Sequence, residues 1–89
     1  MRSMLPADLS PEVQLLVDVR RWVRDGRARD LRRRAGLSQS EAARAVGVSR
    51  RTINSWEHAA HMPTGARALA YGRLLAGLLA RLAEEGPEQ

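Results

Sequence analysis

Leu37-Ser38-Gln39-Ser40-Glu41-Ala42-Ala43-Arg44-Ala45-Val46-Gly47-Val48-Ser49-Arg50-Arg51-Thr52-Ile53-Asn54-Ser55-Trp56-Glu57 reads as two short helices joined by a glycine corner. Ser38 with Glu41 three residues on forms a capping box. The hydroxyl accepts from a free N–H of the first turn, and the carboxylate reaches back to the N–H of the cap. The helix opened there carries Ala42, Ala43 and Val46 on its apolar side. Gly47 supplies the positive-φ corner that a tight interhelical turn needs. Val48 then plugs the core, and Ser49 caps a second short helix with Ile53 and Trp56 facing inward.

Upstream, Gly36 reads as a left-handed cap ending a helix over Arg27 to Ala35, with Ala28, Leu31 and Ala35 inward. Gly26 separates it from an earlier helix. That one opens at Ser10-Pro11-Glu12, with a serine cap, proline at the first position and an acid facing the positive end of the dipole, and runs to about Asp25. Leu15, Val19 and Trp22 make one stripe, with Val13, Leu16, Val17 and Val23 beside it. A face this broad is expected to pack against another element. Residues 1–10 contain Pro6 and little periodicity, and are expected to form a flexible arm.

Downstream, Met62 to Gly65 reads as a loop, with Thr64 expected to cap a last helix extending to about Glu84. Leu69, Leu74, Leu75, Leu78, Leu79 and Leu82 recur there at helical spacings. Gly72 and Gly77 permit close packing or a bend, so one helix or two over 65–84 stays open. Residues 85–89, with Gly86 and Pro87, are expected to fray. No stretch alternates as a strand does. The expectation is an all-α protein of five or six helices, one domain over 11–84.

All 15 basic residues are arginine, against 10 acids, for a net charge of +5. The choice of arginine partly reflects GC-rich coding, but the excess itself favours polyanionic partners, nucleic acid before anionic membrane. Eight of them crowd positions 20–34: Arg20, Arg21, Arg24, Arg27, Arg29, Arg32, Arg33 and Arg34. No one helix can hide them all, so some belong to an electrostatic footprint. The absence of cysteine excludes disulfides, cysteine-ligated zinc and thiol catalysis. With no long uncharged apolar run and no signal-like start, a cytoplasmic protein with no membrane partner is expected.

The block 37–57 resembles the lambda-repressor and Cro-like (XRE) helix-turn-helix family. The matches are Leu37-Ser38-Gln39, Ala43, Gly47, Val48-Ser49, Ile53, Trp56-Glu57, and Pro63 in the loop beyond, with Arg27 to Gly36 fitting the family's first helix. The resemblance implies a lambda-repressor-like bundle with an extra N-terminal helix and a long leucine-rich C-terminal helix, the motif covering 38–58. It also implies that Gln39 stands at the start of the first motif helix against the DNA backbone, and that Arg32 pairs with Glu57 as a structural ion pair. Two features depart from the family. Ala59-Ala60 stands where a glycine is usual, and Gly65 to Glu84 could run with little of the usual interruption between the family's last two helices.

Physically, a recognition helix presents long polar side chains from its N-terminal end while its other face anchors. Arg50, Arg51, Thr52 and Ser55 are the expected base readers. Either arginine could fork onto guanine O6 and N7, and the Thr52 methyl could meet that of thymine, each good bidentate pair being worth about 1–3 kcal/mol of discrimination. Ser49, Arg44, Asn54 and His58 join Gln39 as expected phosphate contacts.

His58 and His61 lack a third ligand and read as a helix-end and loop pair, so neither a metal nor any cofactor is expected. No catalytic trio and no phosphate-binding glycine pattern occurs, and the protein is expected not to be an enzyme. Trp22 and Tyr71 read as core or interface. The leucine-rich helix has two occupants that fit, the N-terminal helix or a second copy of the chain. The expected function is that of a transcriptional regulator on double-stranded DNA, a repressor or Cro-like protein of phage or mobile-element type, as monomer or homodimer. The alternatives are an antitoxin-like interaction module with autoregulatory DNA binding, and a sequence-independent nucleoid-type binder.

Overall fold

A computed structural model of the chain describes residues 9–85. Most of the expected arm (1–10) and tail (85–89) therefore lies outside the described residues. Five helices and no strands occur among the described residues: α1 (Pro11–Arg24), α2 (Arg27–Arg34), α3 (Gln39–Val46), α4 (Arg50–Glu57) and α5 (Gly65–Glu84). The segment left open at the C-terminal end is thus one helix of 20 residues.

Local chemistry sets most of the boundaries. Ser10 Oγ accepts from the Val13 N–H at 3.1 Å, with Pro11 opening the helix behind it. Ser38 and Glu41 close the capping box at 3.0 and 2.9 Å. Gly36, at φ 75°, ends α2. There the N–H of Leu37 reaches the Arg32 carbonyl and that of Gly36 the Arg33 carbonyl, both at 3.0 Å, so that two end carbonyls of the helix are satisfied by its own turn.

Thr64 departs from expectation. It occupies the cap position of α5, but its side chain caps nothing. Gly65 follows at φ 62°, and this left-handed first residue takes the opening turn out of the geometry in which a hydroxyl meets the next N–H groups.

The core is built from all five helices, with Val19, Leu31, Ile53 and Leu75 at or near zero exposure. Trp56 and Tyr71 lie tilted against each other with ring centroids 4.8 Å apart. α1 packs chiefly along α5 and also against α2, while α3 contacts both α4 and α5. At Gly72 the α1–α5 approach is so close that a Cβ would stand 2.8 Å from Leu15 Cγ. The broad apolar face expected of α1 is only partly covered. Val19, Trp22 and Val23 are buried, whereas Val13 and Val17 are 42% and 47% exposed. Leu79 on α5 is exposed as well.

Candidate nucleic-acid interface

α4 divides its circumference between anchoring and display. Ile53, Trp56 and Glu57 are buried, while Arg50, Arg51, Asn54 and His58 are exposed and Thr52 and Ser55 half-buried. Its start is fixed by Ser49, whose Oγ accepts from the Thr52 N–H at 3.1 Å and lies 3.0 Å from Thr52 Oγ1. With the two hydroxyls bonded to each other, Thr52 keeps its methyl for an apolar contact.

The end of α4 is held by a charge. The Glu57 side chain is fully removed from solvent. It accepts from Arg32 Nε and Nη2, the latter at 3.0 Å, and from Gln39 Nε2 at 3.1 Å. Arg32 Nη1 donates in turn to the Leu37 carbonyl at 2.8 Å. Such a carboxylate tolerates desolvation because charge and hydrogen bonds meet it together. The hydrogen bond to Glu57 also raises the pKa of Arg32, outweighing the opposing effect of burial, so the guanidinium keeps its charge.

Gln39, the first residue of α3, ties the two motif helices together. Its amide nitrogen donates to Asn54 Oδ1 and to Glu57 Oε1, both at 3.1 Å, and its Oε1 accepts from Arg50 Nη1 at 3.3 Å. Both amide hydrogens are thereby used within the protein. What α3 offers to a phosphate is the set of main-chain N–H groups at its start, where the helix dipole adds attraction. Arg50 leans toward α3, while Arg51 is exposed and Ser55, one turn on, is half-buried.

His58 and Arg44 are exposed at the ends of their helices, and His58 Nδ1 lies 2.8 Å from the Asn54 carbonyl. His61 belongs to the same surface, its Nδ1 2.6 Å from Ser55 Oγ. Sequence reasoning placed it in a loop and missed this contact, since nothing in the local pattern reports how the loop returns. The Gln39–Glu57 bond was missed for a similar reason, the partners lying 18 residues apart. Between His58 and His61, where Ala59-Ala60 replaces the family's usual glycine, Ala59 adopts φ 55°. The loop thus makes a left-handed turn although the residue carries a Cβ.

Of the eight arginines in 20–34, Arg32 is taken by Glu57, and Arg34 lies 3.6 Å from Asp30 on the surface. Arg21, Arg24, Arg27, Arg29 and Arg33 are exposed. Behind the motif, Tyr71 carries a buried hydroxyl with no partner among the described residues. Burial pushes its pKa above the usual tyrosine range, the nearby Glu57 charge adding to the shift and Arg32 opposing it. No cluster of metal-ligating side chains occurs among the described residues, and none of their helices is long and apolar enough to cross a membrane.

A helix-turn-helix family model matches residues 29–77, more than half of the chain. The match takes in α3 and α4 and ends within α5, and α1 lies outside it. Neither a curated protein nor a solved structure matches the chain.

Proposed function

The chain belongs to the XRE, lambda-repressor-like helix-turn-helix family of DNA-binding transcription regulators, and we propose that it acts as a sequence-specific repressor of the Cro-like kind. It would repress by occupying promoter DNA with α4 in the major groove. One observation carries this: α4 is capped at its start and anchored at its end by a buried ion pair, and between these fixed points it presents Arg50 and Arg51 to solvent.

In this proposal Arg51 reads a base edge most directly, with Ser55 and the Thr52 methyl beside it. Arg50, oriented by Gln39, reaches the neighbouring pair or its phosphate. Ser49, Arg44, Asn54, His58 and the start of α3 at Gln39 meet the backbone, which sets register rather than sequence. Arg32 and Glu57 act by holding α4 against the domain. The exposed arginines of α1 and α2 add a sequence-independent attraction that weakens with salt. The exposed Val13 and Val17 on α1 favour a second protein surface, for which a homodimer is the simplest occupant. Such a dimer would bind half-sites about 34–36 Å apart.

The test is a selection of bound duplexes from a random library at about 150 mM salt, with an Arg50→Ala, Arg51→Ala double variant alongside. The proposal expects a motif from the wild type, palindromic for a dimer, that the variant loses. A motif unchanged in the variant would remove α4 from base reading.

A further inference from the structure

We propose that Ser55 reads its base as a hydrogen-bond acceptor only, selecting adenine or cytosine, because His61 takes its proton. This rests on the proposal that α4 lies in the major groove. A serine hydroxyl normally both donates and accepts, and so can face either a donor or an acceptor base edge. Here its freedom is restricted.

The loop after α4 is tied back to the helix, with the Ala60 N–H donating to the Ser55 carbonyl at 2.9 Å. This places the His61 ring at Ser55, Nδ1 to Oγ 2.6 Å. That separation is a short hydrogen bond, within the range usual for an O–H donor, about 2.5–3.0 Å. We assign Ser55 as the donor and Nδ1 as the acceptor, the reverse assignment requiring the proton on Nδ1. A neutral imidazole with Nδ1 accepting carries its one proton on Nε2. The ring is exposed, so the Nε2 proton of this neutral tautomer can be given to a phosphate or to water.

With its proton committed, Ser55 Oγ presents lone pairs alone. In the major groove only adenine N6 and cytosine N4 donate, whereas guanine and the thymine carbonyl accept. Arg50 and Arg51 have donors only and take the opposite edges. The half of α4 near Ser55 and the half near its start therefore demand opposite base polarity.

The experiment is the same library selection, run at pH 8 with wild type, Ser55→Ala and His61→Ala. The position assigned to Ser55 is the one whose preference Ser55→Ala abolishes. In the wild type it should favour adenine or cytosine about fivefold, the worth of one ordinary hydrogen bond. In His61→Ala the freed hydroxyl should let that preference fall below about twofold, while the rest of the motif, kept intact, reports a folded protein. Guanine or thymine at that position, no position responding to Ser55→Ala, or an undiminished preference in His61→Ala would each overturn the inference while leaving base reading by α4 standing. No motif from the wild type would instead sink the base-reading proposal, and this inference with it.

Discussion

The α3–α4 pair and the α1–α5 pair are both helix couples on one core, yet they are held by different forces. Between α3 and α4 the contacts that fix geometry are polar and directional. Gln39 touches Arg50, Asn54 and Glu57, and Glu57 is anchored by Arg32. Between α1 and α5 the decisive contact is one of shape, Leu15 fitted to the gap left by Gly72. Apolar packing is non-directional and tolerates repacking, whereas a half-satisfied buried charge does not. The surface that must present side chains at fixed positions is the one built from hydrogen bonds. The added helix, which only has to cover the core, is held by shape.

The sharpest way to break this comparison is at Glu57. Glu57→Ala leaves Arg32 and Gln39 without their shared acceptor and should destabilise by about 3–5 kcal/mol, read as a lower denaturant midpoint in equilibrium unfolding. A loss below about 1 kcal/mol, the level of an exposed pair, would mean that polar contacts do not fix the α4 end. At the other couple, Gly72→Ala should cost about 1–3 kcal/mol by overpacking. Adding Leu15→Ala should recover part of that loss. Additive losses in a double-mutant cycle would show that the shape of this notch is not what joins α1 to α5.

The difference also explains what could be read in advance. The Ser38–Glu41 box and the cap at Ser49 were legible because a cap is completed within one turn of chain. Trp22 and Tyr71 could be read only as core or interface, and the fold decides for the core in burying both. The exposure of Val13 and Val17 was not legible, since it depends on which face of α1 Gly72 lets α5 approach. Nor was the Ser55–His61 contact, which depends on Ala59 turning left-handed. The resemblance supplied the Arg32–Glu57 pair. It did not supply the third donor, Gln39.

That turn offers a smaller test. A left-handed residue with a Cβ costs about 1–2 kcal/mol relative to glycine, offset in part by glycine's greater freedom in the unfolded chain. Ala59→Gly should therefore raise stability slightly, by about 0.5–1 kcal/mol, seen as a higher Tm. A lower Tm would mean that the Ala59 side chain contributes packing which outweighs the backbone cost.

The smallest expected effect is at Tyr71. Its buried hydroxyl has no partner among the described residues, so Tyr71→Phe should be neutral or stabilising by up to about 1 kcal/mol at pH 7. The pH dependence has a definite sign. The folded pKa is raised above the ordinary value of 10.0, so stability is intact below pH 10 and falls as pH rises beyond it, where the unfolded chain can ionise. Tyr71→Phe should flatten that decline in thermal melts taken from pH 8 to pH 11.

The central claim, that α4 reads sequence through Arg51 and its neighbours, is tested most directly by one ratio. Affinity is measured at about 150 mM salt for a selected duplex and for a scrambled duplex of equal length, with wild type and Arg51→Ala. Sequence-specific regulators favour their sites by at least about 10³-fold, and loss of one bidentate contact should cut that ratio by about 5-fold to 150-fold, with little change on the scrambled duplex. A ratio near one in the wild type, with binding that collapses as salt rises, would contradict the claim and leave a protein that recognises only the phosphate backbone.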